Sequence, residues 1–162
     1  QHDKVMSYID IGRREGASLH HGGGVGQLQG FEGGVFVEPT IFTGVKNSMR
    51  IAQEEVFGPV LAVIPVKDEE DAIRIGNDVQ YGLAAGVWTR SLHRAMLMSS
   101  QLRAGTVWVN NYRATSFTTP FGGYKRSGIG RESGVEAIKE YLETKAVWIS
   151  TDLDVPTPFV RR

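Results

Sequence analysis

Pro120-Phe121-Gly122-Gly123-Tyr124-Lys125-Arg126-Ser127-Gly128-Ile129-Gly130-Arg131-Glu132 interleaves four glycines with three cations, two aromatics and one acid. Neither a core helix nor a regular strand tolerates that mixture. Glycine admits backbone conformations and close approaches closed to other residues, so the stretch reads as a long, specifically shaped loop. Upstream lies a short buried-strand pattern, Thr106-Val107-Trp108-Val109-Asn110, and downstream a helix pattern over residues 134–143. Functional loops are mounted on rigid elements in this way. On composition alone, an ordinary glycine-rich surface connection fits equally well.

Upstream of that loop, strands alternate with helices. Val60-Leu61-Ala62-Val63-Ile64-Pro65-Val66 is apolar on both faces, the mark of a strand covered on both sides. Asp68 is placed to cap a helix whose first turn carries Glu69, Glu70 and Asp71, where acids favour the positive end of the dipole. Ala72, Ile73 and Gly76 form its buried stripe, and it is expected to stop near Tyr81-Gly82. A second apolar strand spans residues 83–89. Ser91 caps the next helix, with Leu92, Ala95, Met96, Ser99 and Leu102 at helical spacing, and Gly105 ends it. This alternation predicts an α/β fold with a mostly parallel open sheet and flanking helices. Ligands of such sheets gather beyond the carboxyl ends of the strands, which puts the loop after Asn110 at the functional edge.

The N-terminal third is less regular. Val5, Ile9 and Gly12 share one face of a helix over residues 1–16, followed by a possible short strand at Ala17-Ser18-Leu19-His20. Residues 22–34 are glycine-rich and read as a flexible hairpin. His21-Gly22-Gly23-Gly24 looks like an oxyanion-hole motif, but the Gly-x-Ser-x-Gly turn which that fold requires is absent. Adjacent His20 and His21 cannot share one face as metal ligands, and no metal site is expected. Pro39 interrupts an apolar run at 35–42, predicting an edge strand or extended arm. A short amphipathic stretch at 48–55, with Met49 and Ala52 on one side, ends in Glu54-Glu55-Val56-Phe57-Gly58-Pro59. Gly58-Pro59 is a strong breaker, so both carboxylates and Phe57 are presented at a fixed corner. At the other end, residues 144–150 read as a last strand, an exposed edge suited to pairing with another chain.

At 162 residues the chain fits one domain. Eighteen basic and eighteen acidic residues cancel, so no net field draws it to nucleic acid or anionic lipid. No apolar run approaches the roughly 20 residues of a membrane span, and no signal-peptide pattern is visible. There is no cysteine, which excludes disulfides and thiol chemistry on this chain and suits a reducing, cytoplasmic setting. Gln1 is not an initiator methionine, and the first helix starts without a linker, so the chain is expected to be part of a longer polypeptide.

Four blocks carry a family resemblance: Glu54-Glu55-Val56-Phe57-Gly58-Pro59-Val60, Tyr81-Gly82-Leu83-Ala84-Ala85-Gly86-Val87, Ala104-Gly105-Thr106-Val107-Trp108-Val109-Asn110, and the loop from Pro120 to Glu132. In this order they resemble the C-terminal part of the aldehyde dehydrogenase superfamily. The resemblance divides the chain into residues 1–143, the C-terminal portion of a catalytic domain, and 144–162, an oligomerisation strand and tail. It implies oxidation of an aldehyde to a carboxylic acid with NAD or NADP, through a cysteine thioester. The family's nucleophilic cysteine, base glutamate, oxyanion asparagine and dinucleotide-binding fold all precede the region present here. The chain alone is therefore expected to be inactive.

By the same resemblance, Glu55 hydrogen-bonds the ribose of the nicotinamide half, Phe57 packs beside the nicotinamide, and Leu83 lines the same area. An ionised carboxylate suits two vicinal hydroxyls. Phe121 matches an aromatic of the substrate tunnel. Arg113, Ala114 and Thr115 occupy the variable loop that helps set substrate preference, and the arginine hints at a polar or anionic substrate. Glu132 matches an acid that helps a lysine of the missing half to conduct protons. Homodimers or homotetramers through the C-terminal strand are implied. A non-catalytic structural or oligomerisation module on the same fold is the alternative.

Overall fold

A computed structural model describes residues 1–151. Helix α1 (His2–Arg14) buries Val5, Ile9 and Gly12, the face its spacing predicts. Asp3 in its first turn and Arg13 and Arg14 in its last complement the helix dipole. Strand β1 (Ser18–His21) follows. Strands β2 (Val25–Gly26) and β3 (Phe36–Val37) pair antiparallel and form the expected glycine-rich hairpin. Pro39 then splits the apolar run, and β4 (Thr40–Thr43) begins immediately after it.

The expectation of an edge strand fails at β4. It is the central strand of a three-stranded sheet, antiparallel to β1 and, beyond helix α2 (Arg50–Gln53), parallel to β5 (Val60–Ala62). Pro39 lies just ahead of the ladder, so its missing donor costs nothing there. The first strand donor, Thr40 N, reaches Pro59 O at 2.8 Å. The buried Thr40 hydroxyl accepts from Gly23 N at 3.0 Å and donates to Glu38 O at 2.7 Å, so it is satisfied. Around β4 the core gathers Val5, Ile9, Phe42, Val45, Met49 and Ile51.

In the second half, helix α3 (Glu69–Asn77) starts where Asp68 accepts from Asp71 N at 2.8 Å. It ends at Asn77, earlier than expected, because the Asn77 side chain turns to bond Gln101 O at 2.9 Å and Arg103 N at 2.7 Å. Strands β6 (Tyr81–Gly82) and β7 (Ala84–Val87) follow. Helix α4 (Leu92–Gln101) starts at Ser91, which accepts from Arg94 N at 3.2 Å. It leads into β8 (Thr106–Val109), which pairs parallel with β7 in the register Ala84↔Thr106 to Val87↔Val109.

The α/β class and the open, helix-flanked sheets stand, with parallel pairing between β4 and β5 and between β7 and β8. Among the described residues the ladders are nonetheless divided into a three-stranded sheet and three two-stranded ones, not gathered into one mostly parallel sheet. Pro59 and Pro65 bracket β5, and neither can extend its ladder with a donor. The strand region expected to be covered on both faces is open: Leu61 is 57% exposed, and Val63 and Val66 are also exposed.

The last expected helix is a 3₁₀ helix, Val135–Tyr141, with no buried residue. Residues 144–150 form no ladder among the described residues, and Val147, Trp148 and Ile149 face solvent. The tail beyond residue 151 lies outside the described residues. Among those residues no helix is long and apolar enough to cross a membrane.

Candidate functional site

The glycine-rich loop is seated on the second half of the fold. Its strand β9 (Tyr124–Lys125) pairs antiparallel with β6, matching Tyr81 to Lys125 and Gly82 to Tyr124. Lys125 Nζ donates to Asn77 O at 2.7 Å and Val79 O at 3.0 Å, which ties the loop to the end of α3. Ser127 Oγ accepts from Gly82 N at 2.9 Å. A Cβ at Gly105 would collide with the Gly122 carbonyl, so the loop backbone lies directly on the start of β8. At the neck, Phe121 and Glu132 exchange two backbone hydrogen bonds of 2.8 Å each. Arg131 donates to Gly123 O at 3.0 Å and stacks over the Tyr124 ring at 5.4 Å, a structural part.

Three of the clefts around this platform share Leu83 as a lining residue. The first, about 480 Å³, takes in Glu55, Gly82, Arg126 and Ser127. The second, about 400 Å³, is walled by Trp108, Tyr112, Arg113, Thr115 and Phe121. The third, about 340 Å³, has Phe121, Arg131, Glu132 and Tyr141 on its walls. Phe121 separates the second cleft from the third, and Leu83 links both to Glu55.

Charge at the corner is sharply divided between neighbours. Glu54 takes Arg50 on both oxygens, at 2.8 and 2.9 Å, and accepts from the Tyr8 hydroxyl at 2.6 Å. The Arg50 guanidinium, then the Tyr8 hydroxyl, hold its carboxyl down at about 2. The same contact with Glu54 pushes the Tyr8 phenol up. Glu55 is exposed and makes no hydrogen bond or ion pair with any described residue. It is the carboxylate available to a ligand.

Residues 1–147 match the model of the Aldehyde dehydrogenase family. The chain belongs to that family. Betaine aldehyde dehydrogenase of Mesorhizobium japonicum is 51% identical over 159 residues, covering 98% of this chain and 32% of the relative. The chain thus spans about a third of the length of the curated relatives it matches. Betaine aldehyde dehydrogenase of Staphylococcus aureus superposes with a TM-score of 0.89 at 40% identity, over 99% of this chain and 32% of that one. An aldehyde dehydrogenase of Mycobacterium tuberculosis complexed with NAD+ gives 0.83 at 47% identity, over 95% and 31%.

Within this aldehyde dehydrogenase framework, Glu55, Leu83, Arg113, Thr115, Phe121 and Glu132 are brought onto one connected set of clefts. Phe57 and Ala114 are not. Phe57 is 75% exposed at φ 54°, and its carbonyl accepts from Gln1 Nε2 at 2.7 Å. Ala114 points its carbonyl to Trp108 Nε1 at 2.8 Å and so fixes the variable loop without lining the cleft. Sequence reasoning missed Trp108 and Tyr112 as cleft walls. Trp108 was hidden inside an apolar strand run, where alternation alone does not say which face meets a cavity. Among the described residues, no group of three or more acids or histidines could hold a metal ion.

Proposed function

We propose that this chain forms one wall of the active site of an NAD(P)-dependent aldehyde dehydrogenase, which oxidises an aldehyde to a carboxylic acid through a cysteine thioester. The observation that carries this reading is the convergence on Leu83. There an unpartnered carboxylate on one side and an aromatic-walled cleft on the other share a single side chain. Glu55 fits a nucleotide ribose: it is exposed, unpaired and charged, and it sits beside the apolar flank of Leu83. The nicotinamide, when bound, accepts the hydride. Solved relatives complexed with NAD+ support a cofactor of that type.

Phe121 would wall the aldehyde tunnel, with Arg113 and Thr115 setting its polarity. Phe57 would come against the nicotinamide. Glu132 would position a lysine in a proton path. The chain has no cysteine, so the nucleophile must come from residues outside it, together with the base glutamate and the dinucleotide domain. Alone, these 162 residues would be inactive. The intact enzyme would be a cytoplasmic homodimer or homotetramer paired through residues 144–150.

The test is aldehyde-dependent NADH or NADPH formation by the complete polypeptide carrying these residues, beside the 162-residue chain alone. The expected result is turnover by the former and none by the latter. A complete polypeptide with an upstream cysteine and glutamate that turned over no aldehyde would leave the structural-module reading in its place.

A further inference from the structure

We infer that Arg113 makes the cleft between Trp108, Tyr112 and Phe121 selective for aldehydes bearing a carboxylate, and against those bearing a quaternary ammonium. The inference rests on the dehydrogenase reading above. Aromatic walls alone would suit an onium group, which is drawn to ring faces. Here the Arg113 guanidinium already lies over the Tyr112 ring, 5.6 Å from its centroid. Trp108 meets Tyr112 edge-on at 5.7 Å, and Trp88 adds a tilted contact at 6.4 Å, so the aromatic cluster is largely occupied with itself and with the arginine. Among the described residues no acid lines this cleft; Glu132 is on the clefts beyond Phe121. From these residues a second cation entering here would meet one charge of its own sign and none of the opposite.

An anion would meet the reverse. Arg113 makes no ion pair or hydrogen bond with any described residue, so its planar donors are uncommitted. A guanidinium of that kind recognises carboxylates in a bidentate manner. Its placement is set by the backbone: Arg113 is left-handed at φ 60°, between Tyr112 and an Ala114 whose carbonyl is pinned by Trp108. Leu83 and Phe121 supply the apolar length between that charge and the rest of the site.

The test uses the complete, active polypeptide and three aldehydes of one shape: 4-carboxybenzaldehyde, benzaldehyde and 4-(trimethylammonio)benzaldehyde. For the wild type, kcat/KM should favour the carboxylate over the ammonium by roughly fivefold or more, through KM, and the preference should shrink with added salt. Arg113→Asn, chosen because asparagine tolerates left-handed backbone, should remove that preference, read as the carboxylate-to-ammonium ratio of kcat/KM within the variant. Arg113→Lys should restore part of it, and Arg113→Glu should reverse it. A wild type that prefers the ammonium, or ratios indifferent to these substitutions while benzaldehyde is turned over, would overturn the inference alone. Failure of all three aldehydes, and of aliphatic ones, would instead remove the dehydrogenase reading beneath it.

Discussion

Glu54 shares its two oxygens between Arg50 and Tyr8, whereas Glu55, one residue later, reaches the cleft beside Leu83 without a partner. Two predictions separate them. Glu55→Gln in the complete polypeptide keeps the shape and removes the charge. It should raise the dissociation constant for the dinucleotide roughly tenfold, the order expected for a charge-assisted pair of bonds, while aldehyde KM stays put. Initial-rate kinetics with each substrate varied in turn decide it, and equal losses on both would remove the ribose role. For Glu54, folding lowers the carboxyl from its ordinary 4.5 to about 2. Its contribution to stability is therefore complete above about 4.5 and is lost as pH falls through about 2. Thermal midpoints measured across that window should fall more steeply for the wild type than for Glu54→Gln. Parallel curves would mean that the Arg50 contact contributes nothing to folding.

At the scale of elements, the helix starts were legible because they are local. Asp68 and Ser91 each sit three residues before the amide they cap, and a side chain three positions away needs no tertiary information to find it. The strand pairings were not local. Whether the run after Pro39 is an edge or a centre depends on β1 and β5 arriving from either side, and nothing within residues 35–42 says so. The loop's seat is likewise a meeting of distant segments, with Gly105 against Gly122. Gly105→Ala places a methyl where the Gly122 carbonyl lies, and backbone cannot swing away as a flexible side chain can. A loss of roughly 3 kcal/mol is expected, at the upper end for overpacking. Urea denaturation should show it as a lower midpoint, and an unchanged midpoint would mean that the loop does not rest on β8 in solution.

For the molecule as a whole, the accessible surface is 12714 Å². A compact monomer of this mass, 17.8 kDa, exposes only roughly 8000 Å². The excess is partly apolar and includes Leu61, Val63 and Val66 beside the first sheet, Leu83 at the clefts, and Val147 to Ile149 at the end. Apolar area on that scale calls for a cover. The isolated 162-residue polypeptide should therefore self-associate at micromolar concentration and bind ANS. Sedimentation velocity that gave a single monomeric boundary, with no dye binding, would show that these faces are content in water.

Residue order alone was enough for whatever depends on near neighbours: the buried face of α1, the capped starts of α3 and α4, the conformational demands of the loop from Pro120 to Glu132, and the four blocks that place the chain in its family. Only the folded chain decided that β4 is central, that Glu55 and Phe121 meet through Leu83 while Phe57 stands aside, and that Trp108 and Tyr112 wall a cleft. The physical reason is range. A cap or a helical stripe is settled within one or two turns of chain. A cleft is an enclosure made by segments dozens of residues apart, and its walls exist only once packing has chosen which side of each strand faces inward.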